Sequence, residues 1–216
     1  MSTRVRAALF DLGGVFLHFR GNGRAEAEKA VGLPPGTLRR VAYRDAFALA
    51  NYGVYTHQDW LEAVRAELVS EFGPRAGAAV EVWAQDAGEL DEDAVAVVKA
   101  VRAQGIPVGI FTNNTSGLEA DLARLGFDAF DTLINSADLG VIKPSPVAYR
   151  LAIEAMGVAA GETFFADDNH TNVIAARHVG LHAVDFLSVP GLIADLAACG
   201  ITLPTPTPDT KGEHRG

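Results

Sequence analysis

Arg6-Ala-Ala-Leu-Phe10 runs straight into Asp11-Leu-Gly-Gly14, and the reading of the whole chain turns on this passage. A short apolar run stopped by a glycine pair reads as a buried strand, and the acid that follows it then stands at the end of that strand. The same grammar returns twice. Pro107-Val-Gly-Ile-Phe111 stops at Thr112-Asn113-Asn114, and Thr163-Phe-Phe-Ala166 stops at Asp167-Asp168. Thr132-Leu-Ile-Asn135 and His182-Ala-Val-Asp-Phe186 read as two further strands. Helical patterns separate them. Asp91 opens a helix with Ala94, Val97, Val98 and Val101 on one face, stopped by Gly105. Leu118, Leu122 and Leu125 mark the next, stopped by Gly126, and Ser145-Pro146 starts a third that ends at Gly157. Further helices run to Gly180 and to Cys199. Strands alternating with helices of this length predict right-handed crossovers and a doubly wound, Rossmann-like parallel α/β sheet.

One long region breaks the alternation. Residues 18–87 contain no convincing strand and read as an all-helical insertion after the first strand. Thr56-His-Gln-Asp59 resembles a capping box, and Leu61, Val64, Leu68 and Phe72 follow at helical spacing. Leu33-Pro34-Pro35-Gly36 and Gly73-Pro74 divide the region into several helices. The expected organisation is an α/β core made of 1–17 and 88–202, a helical unit of 18–87, and a disordered tail of 203–216 carrying three prolines.

Composition narrows the function classes. With 216 residues the chain buries a core without disulfides, and Cys199 alone rules out an intrachain disulfide or a Cys-rich metal site. A net charge of −9 gives no basic excess for a nucleic-acid backbone. No apolar stretch approaches the ~20 residues of a membrane span. Neither nucleic acid nor membrane is an expected partner, and cytoplasm is the expected compartment. No sequence pattern sets an oligomeric state.

Asp11, Thr112 and Asp167-Asp168 are each, taken singly, ordinary turn or helix-capping residues. Together they fall at the carboxyl edge of one parallel sheet, where such folds bind ligands. Lys143, just before the Ser145 cap, is placed to reach the same rim. Three carboxylates in one place call for a hard cation such as Mg²⁺. A carboxylate can attack phosphorus, while Thr112, the amides around Gly13-Gly14 and Lys143 are suited to hold the equatorial oxygens of a phosphoryl group. A dinucleotide-binding reading fits less well, because the glycines lack the G-x-G-x-x-G spacing.

Asp11-Leu-Gly-Gly-Val15, Thr112-Asn113, Lys143-Pro144 and Asp167-Asp168, in that order, resemble the four motifs of the haloacid dehalogenase superfamily. The insertion is similar to the helical cap of its best-known subfamily, and the resemblance spans residues 6 to about 186. It implies an Mg²⁺-dependent phosphatase acting on a small phosphorylated molecule. By that resemblance Asp11 is the nucleophile and a metal ligand, and Gly13 adds a ligand through its carbonyl. Thr112 and Asn113 bind the phosphoryl group. Lys143 balances charge and contributes to phosphate binding. Asp168 ligates the metal directly, and Asp167 assists it.

The pattern departs from the family at Gly13, where its phosphatases usually carry a second Asp as general acid and base. Three consequences stay open. The substrate has a good leaving group, such as an anomeric or acyl phosphate; another group substitutes, with His18 and His170 as candidates; or the protein is a slow or non-catalytic phosphometabolite binder. The Asp-Leu-Gly-Gly version also resembles sugar-1-phosphate phosphatases lacking the second acid. A metal-independent 2-haloacid dehalogenase would need a carboxylate-binding cation, for which Arg39 or Arg44 can be offered, and Asp167-Asp168 would repel its substrate. Tyr43, Arg44, Phe47, Tyr52, Tyr55 and Trp60 are candidate pocket residues of the insertion, with Gly21-Asn22-Gly23 and Gly88 as candidate hinges.

Overall fold

A computed structural model describes residues 4–20 and 22–203; the proline-rich tail and Gly21 lie outside the described residues. Strand β1 (Ala7–Phe10) leads through β2 (Leu17–His18) into a run of helices: α1 (Gly23–Val31), α2 (Thr37–Ala42), α3 (Asp45–Asn51), α4 (His57–Phe72) and α5 (Ala79–Trp83). The chain returns through β3 (Glu89–Leu90) to α6 (Glu92–Arg102), β4 (Val108–Thr112), α7 (Leu118–Leu125), β5 (Thr132–Asn135), α8 (Ser136–Leu139) and α9 (Pro146–Met156). It closes with β6 (Thr163–Asp167), α10 (His170–His178), β7 (His182–Asp185) and α11 (Val189–Ala198).

Five strands form one parallel sheet in the order β5-β4-β1-β6-β7, so β1 is central and the chain winds away from it in both directions. Every residue of β1, β4 and β6 is buried, as expected for strands covered on both faces. Alternation decides which face each residue serves. Ala8, Phe10, Ile110 and Phe164 join a cluster with Val98 of α6, Leu122 of α7 and Leu196 of α11. Ala7, Leu9, Phe111 and Phe165 point the other way, toward Tyr149 of α9 and Val173 of α10. This is the doubly wound sheet expected from the sequence.

Helices α1–α5 enclose an apolar cluster of their own, with Leu38, Trp60, Val64, Leu68 and Val80 among its buried members. Glu28, buried in it, accepts from the amides of Gly36 (2.9 Å) and Leu38 (2.8 Å) and so satisfies the first turn of α2. The Thr56 hydroxyl accepts from the Asp59 amide (3.1 Å), and the Asp59 carboxylate accepts from the Thr56 amide (2.9 Å), which completes the capping box of α4. The buried face of α4 starts at Trp60 and ends at Leu68; Phe72, expected on that face, is exposed in the last turn.

Two features differ from the sequence expectation. Leu17 and His18 pair antiparallel with Leu90 and Glu89 where the chain leaves the core and returns, so strand structure reaches into residues 18–87. A two-residue ladder has no alternation for a sequence to display. The one-turn helix α8 also escapes notice, being too short to show a period. No described helix is long and apolar enough to cross a membrane. Removing the α4 cap by Thr56→Ala is expected to lower stability by about 1 kcal/mol, read as a lower thermal midpoint with an unchanged far-UV spectrum of the folded state.

Candidate active site

Register brings the polar residues to one edge. Phe10 pairs with Ile110 on one side and Ala166 on the other, so Asp11 emerges level with the ends of β4 and β6. Its amide donates to the Ala166 carbonyl (2.9 Å), which fixes the backbone at the point where the sheet ends. Lys143, from the loop before α9, has its side chain buried at the centre. Its Nζ donates to Asp11 Oδ1 (2.7 Å), Asp167 Oδ2 (2.6 Å) and the Phe111 carbonyl (2.8 Å), using all three ammonium protons. The rings of Phe111 and Phe165 lie beneath it, with centroids 5.1 and 5.4 Å away.

Asp167 is fully buried and fully engaged. Besides Lys143 it accepts from Asn172 Nδ2 (3.1 and 3.0 Å to its two oxygens) and from the Asn169 amide (2.8 Å). Asp168, its neighbour, is exposed and lines the cavity above the rim. Gly14 has φ +77°, and a Cβ there would overlap the Asp168 carboxylate; glycine is what lets the two loops approach. Burial is the main cause that lifts the Asp11 carboxyl to about 6, with Lys143 pulling it down and Asp167 pushing it up. Burial, then the charge of Asp167, also raises Asp168.

The donor set suits a divalent cation. Asp11, Asp167 and Asp168 each offer a carboxylate oxygen within 4.8 Å of the others, and the single ammonium among them leaves a formal charge of −2. With Asp167 spent on protein donors, Asp11 and Asp168 are the carboxylates of this set that line the cavity, with Gly13 beside them.

Thr112 ends β4, lines the cavity, and its hydroxyl bonds to no other described residue. Asn113 lines the cavity, and its side chain also holds the lysine loop: its amide group donates to the Lys143 carbonyl (2.9 Å) and accepts from the Lys143 amide (2.8 Å). Gly13 is exposed to the cavity, and a Cβ added to it would meet nothing within 4 Å.

The cavity holds about 400 Å³ and extends from Asp11, Thr112 and Asp168 to a wall built by the helical module. Of the module residues named from sequence, Tyr43, Phe47 and Trp60 line it, while Arg44, Tyr52 and Tyr55 do not. Arg44 pairs with Glu67 on the surface, and Arg39 is also absent from the lining. His18 faces Asp91 (3.7 Å), and His170 bonds to Asp185 (2.6 Å); neither lines the cavity.

Sequence reading missed Asn172, Trp83 and His57. Asn172 lies five residues beyond Asp167, on the first turn of α10, where a buried amide facing a strand end would have been the signal. His57 is the first residue of α4, just inside the capping box. Its amide donates to Ser116 Oγ (2.9 Å), and its Nδ1 lies 2.7 Å from Thr115 Oγ1, so it ties the module to the loop after β4. Burial pushes its imidazole below the usual value. Lys143→Met leaves two buried carboxylates unpaired and is expected to cost about 3–5 kcal/mol at pH 7. The loss should shrink toward pH 5, because Asp11 in the folded state then takes up a proton more readily than in the unfolded chain; denaturant titrations at both pH values measure it.

Comparison with known proteins agrees with this architecture. Residues 5–180 match the haloacid dehalogenase-like hydrolase family. The sesquiterpene phosphatase astK of Aspergillus oryzae is 26% identical over 215 residues, covering 92% of this chain and 100% of that protein. Two solved structures share the fold. One is a HAD family enzyme, bt-2542, from Bacteroides thetaiotaomicron in complex with magnesium and inorganic phosphate: TM-score 0.67, 19% identity, 84% of this chain and 93% of that one. The other is a dehalogenase with an intermediate complex: TM-score 0.69, 20% identity, 87% of each chain. With a parallel sheet whose central strand ends on Asp11, and a family match across most of its length, the chain belongs to the haloacid dehalogenase-like hydrolases.

Proposed function

We propose that the chain is an Mg²⁺-dependent phosphatase of a small phosphate monoester, acting through a phosphoryl group carried on Asp11. The observation that supports this best is the Asp11–Lys143–Asp167 chain of contacts with Asp168 beside it at the cavity. Asp11, held by Lys143 at one oxygen, is aimed by the strand end and attacks phosphorus. The Asp11–phosphorus bond forms as the bond from phosphorus to the leaving oxygen breaks. Water then attacks the phosphoryl-aspartate, releasing inorganic phosphate and restoring Asp11. The Thr112 hydroxyl and the amides around Gly13-Gly14 hold the phosphoryl oxygens as charge builds on them. Asp11, Asp168 and the Gly13 carbonyl would hold the Mg²⁺, which supplies charge neutralisation for the phosphoryl oxygens. Asp167 and Asn113 act by holding Lys143 in place from side chain and main chain.

Gly13 shapes the substrate range. No carboxyl group stands two residues beyond the nucleophile, so the departing oxygen takes its proton from water, and leaving groups of low pKa are favoured. Haloacid hydrolysis fits less well. A 2-haloacid needs a cation for its carboxylate, and Arg124, the one arginine lining the cavity among the described residues, is already paired with Asp121.

Phosphate release from a panel of esters, with MgCl₂ or EDTA, tests the reading. Turnover should require Mg²⁺ and fall at least about 10³-fold in Asp11→Asn. Esters inert in every condition, with Mg²⁺ still bound, would instead establish a non-catalytic binder. Because the space at Gly13 is open, Gly13→Asp should fold and raise kcat/KM for primary-alcohol phosphates by about 10²-fold. It should change p-nitrophenyl phosphate hydrolysis far less; equal effects on both would show that protonation of the leaving group is not what Gly13 withholds.

A further inference from the structure

The cavity has two unlike ends. At the rim it is polar and carries the groups described above. The opposite wall is organised around Trp60, which meets Phe47 and Trp83 with ring centroids 5.2 and 5.3 Å away and the His57 ring at 5.4 Å. The Trp60 indole N–H donates to the Ala42 carbonyl (2.8 Å), so its polar atom is spent inside the module and ring carbon is left for the cavity.

The charged groups on this side are each engaged at one point with the protein. Arg124 pairs with Asp121 and reaches the Ala84 carbonyl (3.4 Å), while Asp86 accepts from the Gly88 amide (3.1 Å). Two carboxylates and one paired guanidinium leave a formal −1. A leaving group carrying a carboxylate would meet repulsion and no free cation. One covered in hydroxyls would lose water against the rings of Trp60, Phe47 and Trp83, which return no hydrogen bond from their carbon. A hydrocarbon surface has no hydrogen bonds to lose against those rings and covers them.

We infer that this hydrolase selects phosphate monoesters whose leaving group is an apolar hydrocarbon framework, aryl or prenyl, laid against the Trp60 wall; the inference rests on the phosphatase reading above. The chemical step is unchanged: phosphorus passes from the leaving oxygen to Asp11, and the freed oxygen is protonated by water. Aryl and prenyl groups share the apolar contact and differ at that oxygen. A phenol leaves without help, and a prenyl alcohol does not.

The chain has two tryptophans, Trp60 and Trp83, and both line the cavity, so its tryptophan emission reports on this space. In the presence of MgCl₂, benzylphosphonate and geranylphosphonate are expected to shift that emission. They should saturate at concentrations at least about tenfold below phosphonoacetate, with inorganic phosphate giving no shift. In turnover, 1-naphthyl and geranyl phosphates should exceed phosphoglycolate and glucose 1-phosphate in kcat/KM by about tenfold or more, naphthyl leading geranyl. Tyr43→Ala, which removes an exposed part of the lining and spares the module's interior, should raise KM for the apolar esters by a larger factor than for the polar ones. Phosphonoacetate binding as tightly as the apolar phosphonates, or phosphoglycolate turning over as well as the apolar esters, would overturn the inference while leaving the phosphatase reading in place. Tight binding of the apolar phosphonates with every ester inert would support the apolar cavity and remove the phosphatase reading.

Discussion

An ammonium group held between two carboxylates inside an apolar core is a costly arrangement, and the molecule is organised around making it possible. Lys143 reaches its position only if β1 delivers Asp11, β6 delivers Asp167 and β4 offers the Phe111 carbonyl at the same level. Removing such charges from water costs several kcal/mol each, and well-packed hydrophobic residues would serve stability equally or better. Its presence therefore marks a place where chemistry, rather than packing, sets the residues. The surrounding amides bear this out: Asn113 clamps the main chain of Lys143, and Asn172 and Asn169 fill the remaining acceptor sites of Asp167. The three protons of the ammonium and both oxygens of Asp167 have partners, and the second oxygen of Asp11 is left for the cavity.

A division of labour follows along the chain. The sheet edge supplies an acidic centre that, in the proposed reaction, is indifferent to what the phosphate is attached to. The helical module, with a hydrophobic cluster independent of the sheet's two, supplies the wall that the rest of a ligand would touch. The two meet through a few directional bonds. His57 reaches the loop after β4, and Ser136 Oγ donates to the Asn51 carbonyl (2.8 Å). The first of these joins a module helix to residues three and four positions beyond Thr112, so the seating of the module and the geometry at the sheet edge share one loop.

The sequence displayed the fold wherever a residue's role follows from its own strand or helix. Asp11, Thr112 and Asp167-Asp168 were legible because an apolar run ending on a polar residue fixes where that residue stands in a parallel sheet. Lys143 was legible as a neighbour of the rim, but its triple coordination was not, since its three partners come from three strands. Asn113 shows the limit from the other side. It stands at the expected place and turns its side chain to Lys143, an orientation that depends on a loop thirty residues away. Trp83 and His57 could not be assigned to the cavity from one dimension. Their place in the cavity wall depends on how five helices pack and on how the module sits on the sheet. Arg44 and Tyr52 belong to the same helical stretch as Tyr43 and Phe47, yet only the latter two line the cavity, a distinction made by packing alone.

The two-residue ladder of Leu17-His18 with Glu89-Leu90 has a consequence for how such a protein changes over time. The chain departs from the core and re-enters it at adjacent points, so the core sees only a pair of ends a strand's width apart. Whatever lies between those ends is a closed loop in the polymer sense, and the entropy of closing it grows only slowly with its length. The intervening segment can be lengthened, shortened or replaced outright with little consequence for the sheet, provided the two ends still pair. New specificities can thus be acquired by exchange of a whole unit, leaving the inherited reaction centre untouched.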